Sequence, residues 1–193
     1  MAHAELRDPR VLRAIAHPVR SRILSELDAH ESLRAADVAQ LLGIPANQAS
    51  FHLRSLAKFG LVEEDPAAAR DKRDRVWRAT DAAGFDVSIN EIERTPGGRA
   101  ASKVFRRTKE AWAHQLVEEA YGENRDQGVH RAITEQAVRL TKAEARELTE
   151  ELIAVVERWR DRNAGKEDDR RTYHVLQIVQ PFPDASPVQP GKP

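Results

Sequence analysis

The sequence contains no cysteine. That absence excludes disulfides, thiolate metal sites and cysteine redox switches together. It has no run near the ~20 apolar residues of a membrane span, and its N-terminus lacks an apolar signal core, so a cytoplasmic location away from membranes is expected. It carries no net charge, with 31 Lys and Arg against 31 Asp and Glu. Divided, residues 1–80 hold 13 cations and 11 carboxylates, and residues 81–193 hold 18 and 20. Bulk charge therefore selects no partner, and only local patterning can. A Gly-rich phosphate loop, a nucleophile elbow and a paired-His zinc helix are all missing. The reading is that the chain is not an enzyme and holds no cofactor.

One further absence is local. From Pro45 to Val62 there is no acidic residue. This stretch lies within residues 35–64, around which the chain is organised. Ala35, Val38, Ala39 and Leu42 recur at helical spacing and predict a first helix with one apolar face. Gly43 follows where a left-handed C-terminal residue is expected, and Pro45 opens a second helix that packs through Ala49, Leu53 and Leu56. Ile44 plugs the turn between them. Opposite the apolar stripe, at 100° per residue, stand Asn47, Phe51, Arg54 and Lys58. Gln48, Ser50 and Ser55 flank them, and His52 belongs to the same run. Amide, hydroxyl and cationic groups without carboxylates suit base edges and phosphates.

Two short strands are expected next, at residues 61–65 and 76–79, joined by a loop bearing Arg70, Lys72, Arg73 and Arg75. Such a hairpin beside a recognition helix is a wing that can reach the DNA backbone or minor groove.

Two segments carry a family resemblance. One is Ser50-x-His52-Leu53-x-x-Leu56-x-x-x-Gly60-Leu61-Val62. The other runs Asp8-Pro9, then Ala16-His17-Pro18-x-Arg20-x-x-Ile23-Leu24-x-x-Leu27. Together, over about residues 6–80, they resemble the ArsR-type bacterial winged-helix repressors. The resemblance implies a homodimeric, sequence-specific DNA-binding transcription regulator. The thiolate metal motif of that family has no counterpart, because the helix concerned reads Arg34-Ala35-Ala36-Asp37-Val38.

Outside the motif, Asp8 and Pro9 predict an N-cap and first helical residue, followed by apolar Val11, Leu12 and Ile15. Pro18 opens a helix buried through Val19, Ile23, Leu24 and Leu27. His17 reads as structural. Beyond residue 80, alternation of Phe85, Val87 and Ile89 predicts a strand. A long helix over residues 99–121 is expected to pack through Ala101, Val104, Phe105, Trp112, Leu116 and Ala120. Residues 137–140 predict a short strand. Thr141 and Glu144 form a capping box for a helix with an apolar stripe from Ala145 to Trp159. Residues 173–179 form a β-branched run expected to be a strand buried on both sides. Residues 181–193 hold five prolines and are expected to be disordered.

The expected fold class is mainly α with small β elements. A winged helix-turn-helix domain (1–82) is followed by an α+β dimerisation and effector domain (83–180) and a Pro-rich tail. The strands of the second domain can pair within one subunit or between two. Aromatics are scarce, at 5%, and Trp112, Tyr121, Trp159 and Tyr173 are read as core rather than as the lining of a small-molecule effector pocket. His114 and Glu118 share a helix face with His130 nearby, but a surface pair outweighs a metal site. The expected partners are a double-stranded DNA operator and a second copy. The other reading is a winged-helix protein-interaction module without operator recognition.

Overall fold

The computed structural model describes residues 4–6, 8–70, 75–80, 85–122, 128–166 and 169–182. In order, its elements are β1 (Ala4–Leu6), α1 (Pro9–Ile15), α2 (Pro18–His30), β2 (Ser32–Arg34), α3 (Ala35–Leu42), α4 (Ala46–Ala57), β3 (Val62–Glu64), β4 (Val76–Ala79), β5 (Phe85–Val87), α5 (Ile89–Ile92), α6 (Gly98–Tyr121) and α7 (Lys142–Asn163). No helix among the described residues is long and apolar enough to cross a membrane.

Local chemistry sets the helix ends. The Asp8 carboxylate accepts from the Arg10 N–H at 2.8 Å, which caps α1 one residue before Pro9. Arg34 N–H donates to Asp37 Oδ2 at 2.9 Å, an acidic group in the first turn of α3. Gly43 takes the left-handed conformation (φ 65°) and ends α3, which a side chain would disfavour. Pro45 stands at the N-cap of α4, one residue earlier than a first-turn proline. At α7, Thr141 and Glu144 complete the expected reciprocal cap.

The core lies between α1, α2, α3, α4 and one face of a three-stranded sheet. Leu12, Ile23, Val38, Ala49, Leu53, Leu56 and Leu61 are fully buried there. Burial of each large aliphatic side chain contributes about 1.5–3 kcal/mol. The sheet order is β2-β4-β3, antiparallel throughout, with Leu33 and Glu64 both opposite Trp77. The hairpin β3–β4 is the expected wing. Strand β2 escapes sequence reading because three residues between two helices carry no periodicity. The pair β1–β5, parallel with Ala4 opposite Phe85, likewise has an unforeseen partner in β1.

Ile92 and Ala101 belong to the same core cluster, with Phe105 packed against it. The first turns of α6 are thus part of this core.

Three expectations for the second half need correction. Ile89 does not continue the strand but opens α5. Residues 137–140 and 173–179 form no strand, and among the described residues neither has a neighbouring strand to receive its backbone groups. The aromatics are not a core: Tyr121, Trp159 and Tyr173 are 68%, 58% and 53% exposed, and only Trp112 is half-buried. Of the expected apolar stripe of α7, Ala145, Leu148 and Leu152 are half-buried, Val155, Val156 and Trp159 are exposed, and no residue of the helix is buried. Residues 183–193 of the Pro-rich stretch lie outside the described residues.

Candidate nucleic-acid interface

Helix α4 has two chemically opposite sides. Ala49, Leu53 and Leu56 are completely buried. Asn47, Gln48, Phe51, Arg54 and Lys58 are exposed, with Ser50 and Ser55 half-buried at the margins. The exposed strip thus matches the face expected from the helical wheel. The Asn47 side chain accepts from the Gln48 N–H at 2.9 Å, which holds the amide at the N-terminal end of α4.

His52 departs from the expected set. It is 4% exposed, and its ring lies 4.8 Å from that of His17 at an interplanar angle of 46°. Its side chain points inward at the register of Ala49 and Leu56, so it cannot meet a base edge. Burial, more than any charge, pushes both imidazoles below the usual histidine range; Arg20 adds to this for each, and His17 for His52. Both Nδ1 atoms are buried without a hydrogen-bond partner among the described residues.

Arg20 links three helices, which side-chain type alone does not reveal. From α2 its Nε donates to the carbonyl of Ala14 at 2.7 Å, and Nη1 donates to Ser55 Oγ on α4 at 3.2 Å. Nη2 reaches the Arg13 carbonyl at 3.4 Å. A cation at the last carbonyls of α1 complements that helix end, and the same guanidinium fastens α4 through Ser55. The one signal for it in the sequence is its place two residues after the Ala16-His17-Pro18 turn.

The wing is less cationic than its composition. Arg75 Nε lies 3.6 Å from Glu64, and Arg78 Nη2 lies 2.8 Å from Glu63. These exposed pairs are worth at most about 1 kcal/mol, so phosphates can compete for the arginines. Arg70 is exposed. Lys72 and Arg73, expected at the wing tip, lie outside the described residues.

The second half offers no comparable site. His114 and Glu118 are exposed on α6, and the His130 N–H donates to Tyr173 Oη at 3.2 Å. No group of three or more His, Asp or Glu side chains gathers to hold a metal among the described residues.

Residues 15–65 match the family model described as a helix-turn-helix domain. No curated protein matches the chain. Among solved structures, a mutant ZitR of Lactococcus lactis in its apo form is similar at 16% identity, covering 75% of this chain and 83% of that one, with a TM-score of 0.31. Wild-type MarR of E. coli in its apo form is also 16% identical, covering 76% of this chain and 87% of that one, with a TM-score of 0.34. A mutant MarR gives the same identity and TM-score over 78% of this chain and 88% of that one. Superpositions this loose place the chain in neither protein's family. Residues 15–65 are a helix-turn-helix domain by sequence as well as by fold, the type of domain through which transcription regulators present one helix to DNA.

Proposed function

We propose that the chain is a sequence-specific DNA-binding transcription regulator that acts as a homodimer and represses by occupying its operator. The observation that carries this reading is the division of α4: a fully buried Ala49/Leu53/Leu56 side and an exposed strip of Asn47, Gln48, Phe51, Arg54 and Lys58. With α4 in the major groove, Asn47, Ser50 and Arg54 meet base edges, where the amide suits adenine and the guanidinium suits guanine. Lys58 and the wing cations Arg70, Lys72, Arg73 and Arg75 meet phosphates, which fix position without reading sequence. One helix covers one half-site, and a two-fold pair of chains spans half-sites about 34 Å apart.

The second reading, a protein-docking module, is favoured by Phe51, which is 60% exposed at the centre of the same strip. Titration of the full chain against DNA flanking its own gene, at several salt concentrations, separates the two. Operator binding gives a preference over random DNA of roughly 10³ or more and a log–log salt slope near −0.9 for each phosphate contacted. Absence of both leaves the docking module.

A further inference from the structure

The chain stops building a core early. Among the described residues from 103 to 182 none is buried, and sixteen of the eighteen exposed large hydrophobic residues fall in that stretch.

Residues 173–179 concentrate this exposure. They read Tyr-His-Val-Leu-Gln-Ile-Val, a strand composition with apolar groups on both alternating faces. Yet Ile178 is 67% exposed and Val175 55%. No residue from 173 to 182 makes a backbone–backbone hydrogen bond among the described residues, which leaves its donors and acceptors open. The segment is nevertheless held in place. Thr172 Oγ1 donates to the buried Glu26 carboxylate at 2.7 Å, and the His174 ring stands edge-on to Trp112 at 5.8 Å. Ile178 and Val179 line an open groove of about 430 Å³ against Leu152 and Ile153 of α7.

We propose that residues 173–179 are a β-strand completed only in the homodimer. Two copies pair their segments antiparallel across the two-fold axis and cover each other's α7 groove. Two observations select a second copy as occupant. An antiparallel strand pairs with itself about a two-fold axis, since that interface is isologous. Residues 172–182 contain no Asp, Glu, Lys or Arg, so self-pairing brings no like charges together, and Pro181 ends the ladder. The inference rests on the homodimeric reading above and names its surface.

The test combines light scattering and amide hydrogen exchange on the full chain, from high micromolar protein downwards. The expected result is a two-copy mass, with the 173–179 amides exchanging roughly a hundredfold slower than an open chain and losing that protection as the dimer dissociates. Leu176→Pro and Ile178→Glu should each yield a one-copy mass with helical circular dichroism retained, because neither residue belongs to the core. Leu41→Ser, on the exposed side of α3, should leave the dimer intact. A two-copy mass with freely exchanging 173–179 amides, or a dimer that survives both strand variants, overturns the strand and leaves the homodimer standing. A one-copy mass at every concentration overturns both. DNA titration of the same samples reports separately on the regulator reading.

Discussion

Replacing Arg20 by alanine tests the view that a single guanidinium holds the recognition helix in place. The change removes three donors, at 2.7, 3.2 and 3.4 Å. The shortest is charge-assisted and serves a carbonyl in the last turn of α1; such bonds contribute about 1.5–3 kcal/mol. The two longer bonds add less, and water enters this half-buried site to replace part of what is lost. A net destabilisation of about 2–3 kcal/mol follows, or roughly 5–10 °C in Tm for a chain of this size. Arg20→Lys keeps the charge at the helix end but cannot span Ala14 and Ser55 at once, so it should recover about half the loss. Circular-dichroism melts measure the stability, and operator titration below the transition measures the consequence for α4. Affinity should fall in Arg20→Ala although Arg20 reads no base. A melting point within about 2 °C of wild type, with operator affinity unchanged, would refute the reasoning.

Arg54→Ala should weaken operator binding by about 1–3 kcal/mol and relax preference at one symmetric pair of bases, whereas Arg73→Ala should weaken all DNA evenly and lower the salt slope by about one; paired titrations on operator and random DNA distinguish them. Gly98→Ala should destabilise by about 3 kcal/mol or more, because its Cβ would sit 1.7 Å from the Ile92 carbonyl; urea melts measure the cost, and a midpoint near wild type counts against it. The His17–His52 pair makes stability pH-dependent. Burial lowers both folded-state values, so the unfolded chain takes up protons first. The contribution is complete above about pH 6.5 and is lost as pH falls below it. Melting points that hold steady or rise from pH 7 to pH 5 would contradict this sign.

The helix-turn-helix was legible because each of its signals is local. Asp8, Pro18 and Gly43 act within one turn of chain, and the Ala49/Leu53/Leu56 stripe needs nothing but helical period. The wing strands were legible from their apolar runs, while their partner β2 was not, since three residues have no period to detect. The inward turn of His52 was missed for a physical reason: its partner His17 is 35 positions away, and ring packing of this kind leaves no trace in spacing. Arg20 escaped for the same reason, its acceptors lying on two other helices. In the second half, sequence reading identified apolar strand composition at 173–179 correctly as composition. The strand itself does not form, because a strand also requires a neighbour and the described residues of one copy supply none.

Ser21, Glu26 and Asp28 tie helix α2 to the second half of the chain. Ser21 receives the Lys109 ammonium at 2.9 Å, Glu26 receives Thr172 at 2.7 Å, and Asp28 receives Arg160 at 2.6 Å. From Ser21 to Asp28 these ties span about 10 Å of helix. Fastening at one point permits swivelling; fastening at three, on two sides of the helix, opposes it. In the proposed dimer the two recognition helices are then carried on stiff arms rather than on tethers. Once one half-site is engaged, the second is met without a further search, and that advantage is tied to one geometry. Inserting a single base pair between the half-sites displaces the far one by about 3.4 Å and about a tenth of a turn. A tethered protein would absorb that error, and this one should not.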